Sequence, residues 1–576
     1  MPIIPSAIAM DMELACGACG HRQPFTLPTP ICNQCGHDWM DVCYDYERIS
    51  RLWPPLFHQR PFTMWRYREL LPLRRDDYQI SMGEGGTALL RARNLGMMMG
   101  IPNLFIKDER QNPTNSFKDR QAALVISLMK ESGIRELVVA STGNVAISYS
   151  AYSTHAGIKL WTFLPSLVPQ EKMREIAIYG SEVVKVTDTY DATKKVAAEF
   201  AARKGIPADR GIRDVGTRES MKTIAFEIAE QLAEELGPAS PTIPLRAPDW
   251  YVQAVSGGMG PVGVWKGYQE LQQMGLVDRL PKLALIQAEG CAPMVNSFRK
   301  GLAEAEGVTN PDTRVITIAT GFPGPAYAYL QKILRRDGGA FEAVSDEETF
   351  RALHVLAKME GLSVEPASAT AFAGLFKLIH QGVIKRDETI VVNCSGHTFP
   401  VEKFLLDEDW VKVVQTEAGT APPATPNAAA APPPGRATTG GLLGALDQLD
   451  RRVRKIAIIE DNADAARLLR RILQTQGDFH ITEAHTGEDG LDLIRREHPD
   501  LVLLDLMMPD MDGFAVLDQL EAQGMLESLP VIVITAKELS REDRERLQGQ
   551  IQLLLQKGSF MDEDLVEGIR GLIGDS

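Results

Sequence analysis

The sequence predicts an α/β protein in which largely parallel sheets recur along the chain. Short apolar runs, each about the length of a buried strand, alternate with helical stretches. Several runs end in glycine-rich turns that open the next helix, which puts ligands at the C-terminal ends of the strands. The pattern is interrupted by an alanine- and proline-rich tract, so a long first region and a shorter second one are expected.

A chain of 576 residues has room for about three or four domains. Its 44% hydrophobic and 24% charged residues are those of an ordinary soluble globular protein. The net charge of −15 argues against non-specific nucleic-acid binding and against docking on acidic lipid. No apolar run is long enough to span a bilayer, and the apolar residues 1–10 lack the basic start of a signal peptide. Seven cysteines, an odd number with four of them in CxxC pairs, fit a reducing compartment and metal binding better than disulfides. The expected location is the cytoplasm, with neither nucleic acid nor membrane as partner.

Residues 12–45 carry Cys16-Gly-Ala-Cys19-Gly and Cys32-Asn-Gln-Cys35-Gly. Each CxxC turn aims two sulfurs at one point, and the glycine behind it lets the backbone donate to them. Cys16, Cys19, Cys32 and Cys35 therefore supply a closed tetrahedral shell, the donor set of a structural Zn²⁺. A redox dithiol is the alternative. Cys43 is unpaired, and His21 and His37 are left out because four sulfurs fill the shell.

Residues 46–413 repeat strand, turn and helix. Apolar runs at 104–106, 137–140, 159–164, 183–186, 251–255, 283–286 and 389–392 read as buried strands. The stretch Asn112-Pro-Thr-Asn-Ser-Phe-Lys118-Asp-Arg120 turns at Pro113 and Asn115 and opens a helix over 117–131, with Ser116 as its N-cap. Lys118 then lies beside the positive end of the helix dipole, where an amine gives up its proton more readily than on the surface. A neutral amine is what a Schiff base with a carbonyl requires. A plain surface lysine is the competing reading. Ser256, Gly257, Gly258, Met259 and Gly260 open another helix and suit a phosphate, or form only a tight turn. Ser141, Thr142, Gly143 and Asn144 open a third, suited to a carboxylate with an amide to spare, and Ser395 presents a hydroxyl at a later strand end. A lysine, a phosphate cradle, a carboxylate cradle and an amide are the parts of a pyridoxal phosphate site.

With these residues in view, the region resembles fold-type II pyridoxal-phosphate enzymes, and most closely the threonine synthase family. The matching motifs are Gly83-Glu-Gly-Gly-Thr87, Lys107-Asp-Glu109 with the lysine stretch, Ser141-Thr-Gly-Asn144, Gln287-Ala-Glu-Gly-Cys-Ala292 and Glu365-Pro-Ala-Ser368, in family order. The N-terminal zinc-ribbon-like segment is also similar to a feature of some members. The resemblance implies a core of two α/β subdomains in which Lys118 forms the internal aldimine, Asn144 bonds the cofactor's phenolic oxygen and residues 256–260 hold its phosphate. It implies Ser395 at the pyridine nitrogen, Phe117 lining the pocket, and Ser141, Thr142 and Gly143 at the substrate carboxylate. The family's Asn-Pro-x-Arg stretch, which helps bind the substrate's phosphate, is replaced here by Asp214-Val-Gly-Thr-Arg218-Glu-Ser-Met-Lys-Thr223, and Thr317-Ile-Ala-Thr-Gly-Phe-Pro-Gly324 also departs. Lys107, Arg213 and Arg218 are the candidates for the missing anion contacts.

The tract over 414–450 cannot bury a core and reads as a linker, ending in a short amphipathic helix over 441–454. Residues 451–576 alternate again, and their apolar runs end in Glu460-Asp461, Asp505, Thr535 and Lys557, so five polar groups share one rim of a parallel sheet. Clustered carboxylates repel unless a hard cation sits among them, so Mg²⁺ is expected. This region resembles the flavodoxin-like receiver domains of response regulators, including Asp505-Leu-Met-Met-Pro-Asp-Met-Asp-Gly513. The likeness implies that Asp505 is phosphorylated, that Glu460, Asp461, Asp505 and the Met507 carbonyl hold Mg²⁺, and that Thr535 and Lys557 contact the phosphoryl group. Leu554 stands where receivers carry an aromatic residue, and Gly558 where they carry proline.

The expected activity is pyridoxal-phosphate-dependent elimination or replacement on an amino acid. Conversion of O-phosphohomoserine to threonine and phosphate comes first. A threonine or serine dehydratase and a cysteate synthase-like enzyme are the alternatives. A histidine kinase or phosphorelay donor is the expected partner, and a homodimer the expected assembly. The rival from another class is a cofactor- and amino-acid-binding sensor that signals through the receiver.

Overall fold

The computed structural model describes residues 12–26, 31–53, 57–165, 168–186, 190–397, 454–476, 479–526, 529–535, 543, 546–547, 550–551 and 553–556. The linker over 414–450, the helix expected over 441–454, Lys557 and Gly558 lie outside them.

At the N-terminal end, β1 (Glu13–Cys16), β2 (Arg22–Pro24) and β3 (Met40–Cys43) form an antiparallel sheet in the order β2-β1-β3. The strands are short because each cysteine pair turns the chain. Gly20 and Gly36 take φ of 73° and 70°, a conformation that glycine adopts without the Cβ penalty.

The long region continues with β4 (Leu89–Arg91), β5 (Leu104–Asp108), β6 (Glu136–Ala140), β7 (Lys159–Pro165) and β8 (Glu182–Val186). It closes with β9 (Trp250–Ala254), β10 (Lys282–Ala288), β11 (Gly339–Val344) and β12 (Ile390–Cys394). One sheet runs β11-β10-β9-β12-β5-β4, parallel except for β4, and a second runs β6-β7-β8, all parallel. These are the two α/β subdomains. Strands β5, β9 and β12 are buried along their whole length, which is why they read as unbroken apolar runs. The two strands that apolar runs did not reveal, β4 and β11, are edge strands. β4 is three residues long, and β11 carries Gly339 and the ion-paired Glu342.

In the shorter region β13 (Arg454–Ile459), β14 (Phe479–Ala484), β15 (Leu501–Leu504), β16 (Val531–Thr535) and β17 (Leu553–Gln556) pair in the order β14-β13-β15-β16-β17. Every pairing is parallel, the flavodoxin-like arrangement. Here too the strand missed from sequence, β14, is an edge strand with polar residues interleaved.

One expectation about the lysine helix is corrected. It spans Lys118–Glu131 with Phe117 as the flanking residue and no side-chain cap. Ser116 instead forms a bridge to Gly396, and its hydroxyl is buried without a hydrogen-bond partner among the described residues. The chain turns through Asn115, at φ 61°, and through backbone bonds from Asp119 to Ser116 and from Arg120 to Phe117.

What holds this helix in place is a fully buried ion cluster. Arg120 bonds Glu109 at 2.7 Å and Glu227 at 2.6 Å, and Lys107 bonds Glu227 at 2.7 Å. The glycine motif joins the same cluster: the Gly86 amide donates to Glu227 and the Thr87 hydroxyl to Glu109. A Cβ on Gly86 would lie 1.7 Å from the Phe62 carbonyl oxygen, so only glycine lets the loop reach Glu227. Lys107 is thereby excluded as a ligand for a substrate anion, because its amine is spent on Glu227, Gln231 and the Thr87 carbonyl. Glu227→Ala leaves two buried cations short of a partner, and should cost about 3–5 kcal/mol of stability in denaturant unfolding followed by tryptophan fluorescence.

Candidate active site

Lys118 sits at the first position of its helix and points into a cleft that gathers the residues singled out from sequence. Phe117, Ser141, Thr142, Asn144 and the whole of 256–260 line it together with Ser395, and Gly143 lies between two lining residues. The amine donates to the Met259 sulfur at 3.1 Å and lies 4.0 Å from the centre of the Phe117 ring. Neither neighbour stabilises an ammonium as a carboxylate would. Burial lowers the Lys118 pKa to about 8, against opposing pulls from Glu365 and Asp209. The direction is the one expected from sequence, but the leading cause is desolvation rather than the helix end.

The cradle at 256–260 joins β9 to the Met259–Gln273 helix. Gly258 is left-handed at φ 77°, and a Cβ on Gly260 would lie 2.5 Å from the Gln253 amide. Gly257, in contrast, faces open space, with its nearest neighbour 3.9 Å away. The loop thus turns unobstructed backbone toward the cleft at the positive end of a helix, which suits an anion. Ser256 is hydrogen-bonded to Thr320.

The loop at 141–144 opens the Asn144–Ala156 helix, with Gly143 at φ 150°. The Ser141 hydroxyl accepts from the amides of Gly143 and Ala146, so it organises the loop from within. Asn144 donates to both oxygens of Glu365, at 3.0 and 2.8 Å. Ser395 lies 2.9 Å from the Ser368 hydroxyl and 3.3 Å from Glu365. Glu365 therefore links the amide and the hydroxyl across the cleft, a role not assigned from sequence although the residue stood in a recognised motif. Asp209 was missed altogether. It is a half-buried carboxyl whose pKa desolvation raises, bonded by Tyr149, and it opposes the lowering of Lys118. No local motif marks it, because Lys118 is 91 positions away in sequence.

A second cavity of about 410 Å³ adjoins the cleft and shares Tyr190, Ser256, Gly257 and Met259 with it. Lys194, Arg210 and Arg213 line it, but Lys194 is paired with Asp191, and both arginines are paired with Asp38 of the N-terminal segment. Arg218, the other candidate for an anion, is buried against the Trp39 ring and donates to the carbonyls of Ile212 and Met40. It is a packing residue that ties the N-terminal segment to the core, and it is unavailable to a ligand.

The four cysteine sulfurs lie within 4.8 Å of one another, and the Cys16–Cys35 and Cys19–Cys32 pairs are each 3.6 Å apart. The Ala18 amide donates to the Cys16 sulfur at 3.4 Å. Thiolates gathered this closely with backbone donors suit a tetrahedral ion. The segment grips the helices Val215–Leu236 and Met259–Gln273: Tyr44 donates to Glu219 at 2.8 Å and Tyr46 to Glu270 at 3.1 Å.

In the shorter region Glu460, Asp461 and Asp505 converge at the C-terminal edge of the sheet, their oxygens within 4.8 Å, with Asp461 exposed. The Met507 amide donates to Asp505 at 3.0 Å, and Thr535 ends the neighbouring β16. A Cβ on Gly513 would lie 2.4 Å from the Asp505 carbonyl oxygen, so this glycine lets the loop fold back on the acidic rim.

Comparison with known proteins follows this division. Residues 80–396 match the model of the pyridoxal-phosphate dependent enzyme family, and residues 456–570 that of the response regulator receiver domain. A threonine synthase of Methanocaldococcus jannaschii is 37% identical over 366 residues, covering 63% of this chain and 87% of the relative. One of Methanosarcina acetivorans is 34% identical over 396 residues, covering 69% and 94%. One of Mycobacterium tuberculosis is 33% identical over 350 residues, covering 60% and 90%.

A pKa of about 8 makes Lys118 largely protonated at pH 7 and largely neutral at pH 9. Its reductive alkylation by a small aldehyde in the cofactor-free protein should rise with pH through a midpoint near pH 8 and level off above about pH 9, below the range for an exposed lysine. Peptide mapping of the modified chain against pH checks this.

Proposed function

The chain belongs to the pyridoxal-phosphate dependent enzyme family, and on that premise we propose that it is a threonine synthase-like enzyme acting on O-phosphohomoserine, with a receiver domain for two-component control. The observation that carries the proposal is the convergence of the Lys118 amine, the 256–260 cradle and Asn144 on one cleft, in a chain whose relatives are threonine synthases.

The residues fit the cofactor. The open backbone at Gly257 would take its phosphate, the Lys118 amine its aldehyde, and the Phe117 ring would line the pocket beside it. Asn144 would exchange a contact with Glu365 for the phenolic oxygen. The Ser395 hydroxyl would meet the ring nitrogen, and a hydroxyl there leaves the ring unprotonated, which favours elimination and replacement over transamination. When bound, the cofactor supplies an electron sink for charge developing at the substrate's α-carbon. Ser141, Thr142 and Gly143 would hold the substrate carboxylate. The freed Lys118 amine, with its lowered pKa, would move the α-proton.

The same proposal assigns Zn²⁺ to Cys16, Cys19, Cys32 and Cys35. It assigns Mg²⁺ to Glu460, Asp461, Asp505 and the Met507 carbonyl, with phosphorylation on Asp505 by a histidine kinase or phosphorelay donor. Thr535 and Lys557 would steady the phosphoryl group. We take the chain as divided into 12–45, 46–413, 414–450 and 451–576, as a homodimer of the cytoplasm. No helix among the described residues is long and apolar enough to cross a membrane.

Purified protein should be yellow, and borohydride should fix the cofactor to Lys118 in the wild type and not in Lys118→Ala. A panel of O-phosphohomoserine, O-phosphoserine, threonine and serine should give phosphate release from the first. Release of oxo acid from threonine or serine instead would make the protein a dehydratase. Acetyl phosphate should label the wild type and fail to label Asp505→Ala.

A further inference from the structure

The Asn144–Ala156 helix begins at a loop that carries no cation of its own, yet one lies against it. Lys172, in the first turn of the Gln170–Ile178 helix, is 9% exposed. An ideal Cβ on Gly143 would lie 3.4 Å from its Cδ and 3.6 Å from its Nζ, so the end of the side chain rests on the loop at 141–144. Its amine makes no ion pair or hydrogen bond among the described residues. The acid that senses it electrostatically is Glu175, one turn along its own helix.

An ammonium buried beside the positive end of another helix is held against two unfavourable terms, lost hydration and the helix dipole. Both reverse if one anion is shared by the amine and the helix end. The other basic groups around the cleft are already engaged. Lys107 and Arg218 are locked in the core, and Lys194, Arg210 and Arg213 are paired with aspartates. The loop's own amides and hydroxyls provide uncharged donors sufficient for an α-carboxylate. Lys172 adds a full charge, which suits the second anion of a substrate that carries one on its side chain.

We propose that Lys172 is a specificity-determining residue: with the N-terminal end of the Asn144–Ala156 helix it forms the seat for the phosphate ester on the substrate's side chain, a contact that Arg218, locked against the Ile212 and Met40 carbonyls, does not offer. This rests on the reading of the cleft as a threonine synthase-like site.

The test is Lys172→Met and Lys172→Arg in the holoenzyme. Lys172→Met should raise KM for O-phosphohomoserine at least tenfold. The affinity for threonine, read from the shift in cofactor absorbance, should stay within twofold. Inorganic phosphate should compete with O-phosphohomoserine in the wild type and in Lys172→Arg, and lose that effect in Lys172→Met. An unchanged KM, or equal weakening of threonine and O-phosphohomoserine, overturns the inference, the latter by placing Lys172 at the α-carboxylate. If the wild type releases no phosphate, it is the proposed function that fails. The seat is then judged by calorimetric binding of inorganic phosphate and O-phosphoserine to wild type and Lys172→Met, with Lys172-dependent binding upholding it and equal binding rejecting it.

Discussion

The Arg120 guanidinium, shared between Glu109 and Glu227 with no exposure to solvent, is the constraint on which the catalytic region depends. It lies two residues beyond Lys118, so whatever fixes Arg120 also fixes the start of the lysine helix. Its partners come from the turn after β5 and from the Val215–Leu236 helix, and Lys107 on β5 completes the balance. Bare charges at this depth would be prohibitive. Each is tolerated because the opposite charges of the cluster compensate it. Much of the motif series around Lys118, including Gly86, Thr87, Asn112 and Arg120, serves this cluster rather than the cofactor. These neighbouring motif residues hold Lys118 in one place.

A second buried network performs the same service for the loop at 256–260. Glu219 and Lys222 on one helix meet Lys266 and Glu270 on the other, and Tyr44 and Tyr46 close the cluster from the cysteine-bearing segment. The helices pack closely enough that a Cβ on Gly263 would lie 2.4 Å from that of Met221. A metal in the four-cysteine site would therefore act at a distance, by stiffening a segment that grips the helix whose first turn lines the cleft. The same segment reaches the cavity beyond the cleft through Asp38, which is paired with both Arg210 and Arg213.

The receiver follows different physics. Its acidic rim is assembled at the C-terminal ends of parallel strands, with Glu460 and Asp505 buried and Asp461 exposed. Carboxylates this close store repulsion that a divalent cation relieves. Any effect of phosphorylation on the enzyme requires the enzyme's states to differ in affinity for the receiver's states, and by linkage substrate and cofactor would then act back on the receiver.

The sequence alone determined the α/β class, the lysine, both glycine-bearing cradles, the cysteine quartet and the acidic rim. These are legible because each is a local pattern, with residue types at short spacing on a turn or at a strand end whose geometry the backbone dictates. The edge strands β11 and β14 escaped because polar and small residues interleave in them. Tertiary structure decided which charges are free. Lys107, Arg213 and Arg218 were indistinguishable as candidate anion contacts, yet two are locked in the core and one is held by Asp38. Lys172, unremarkable in its helix, became a candidate only where the fold set it against Gly143. Whether an ionisable side chain serves stability or a ligand depends on partners that lie tens to hundreds of residues away, and only the folded chain brings them within reach.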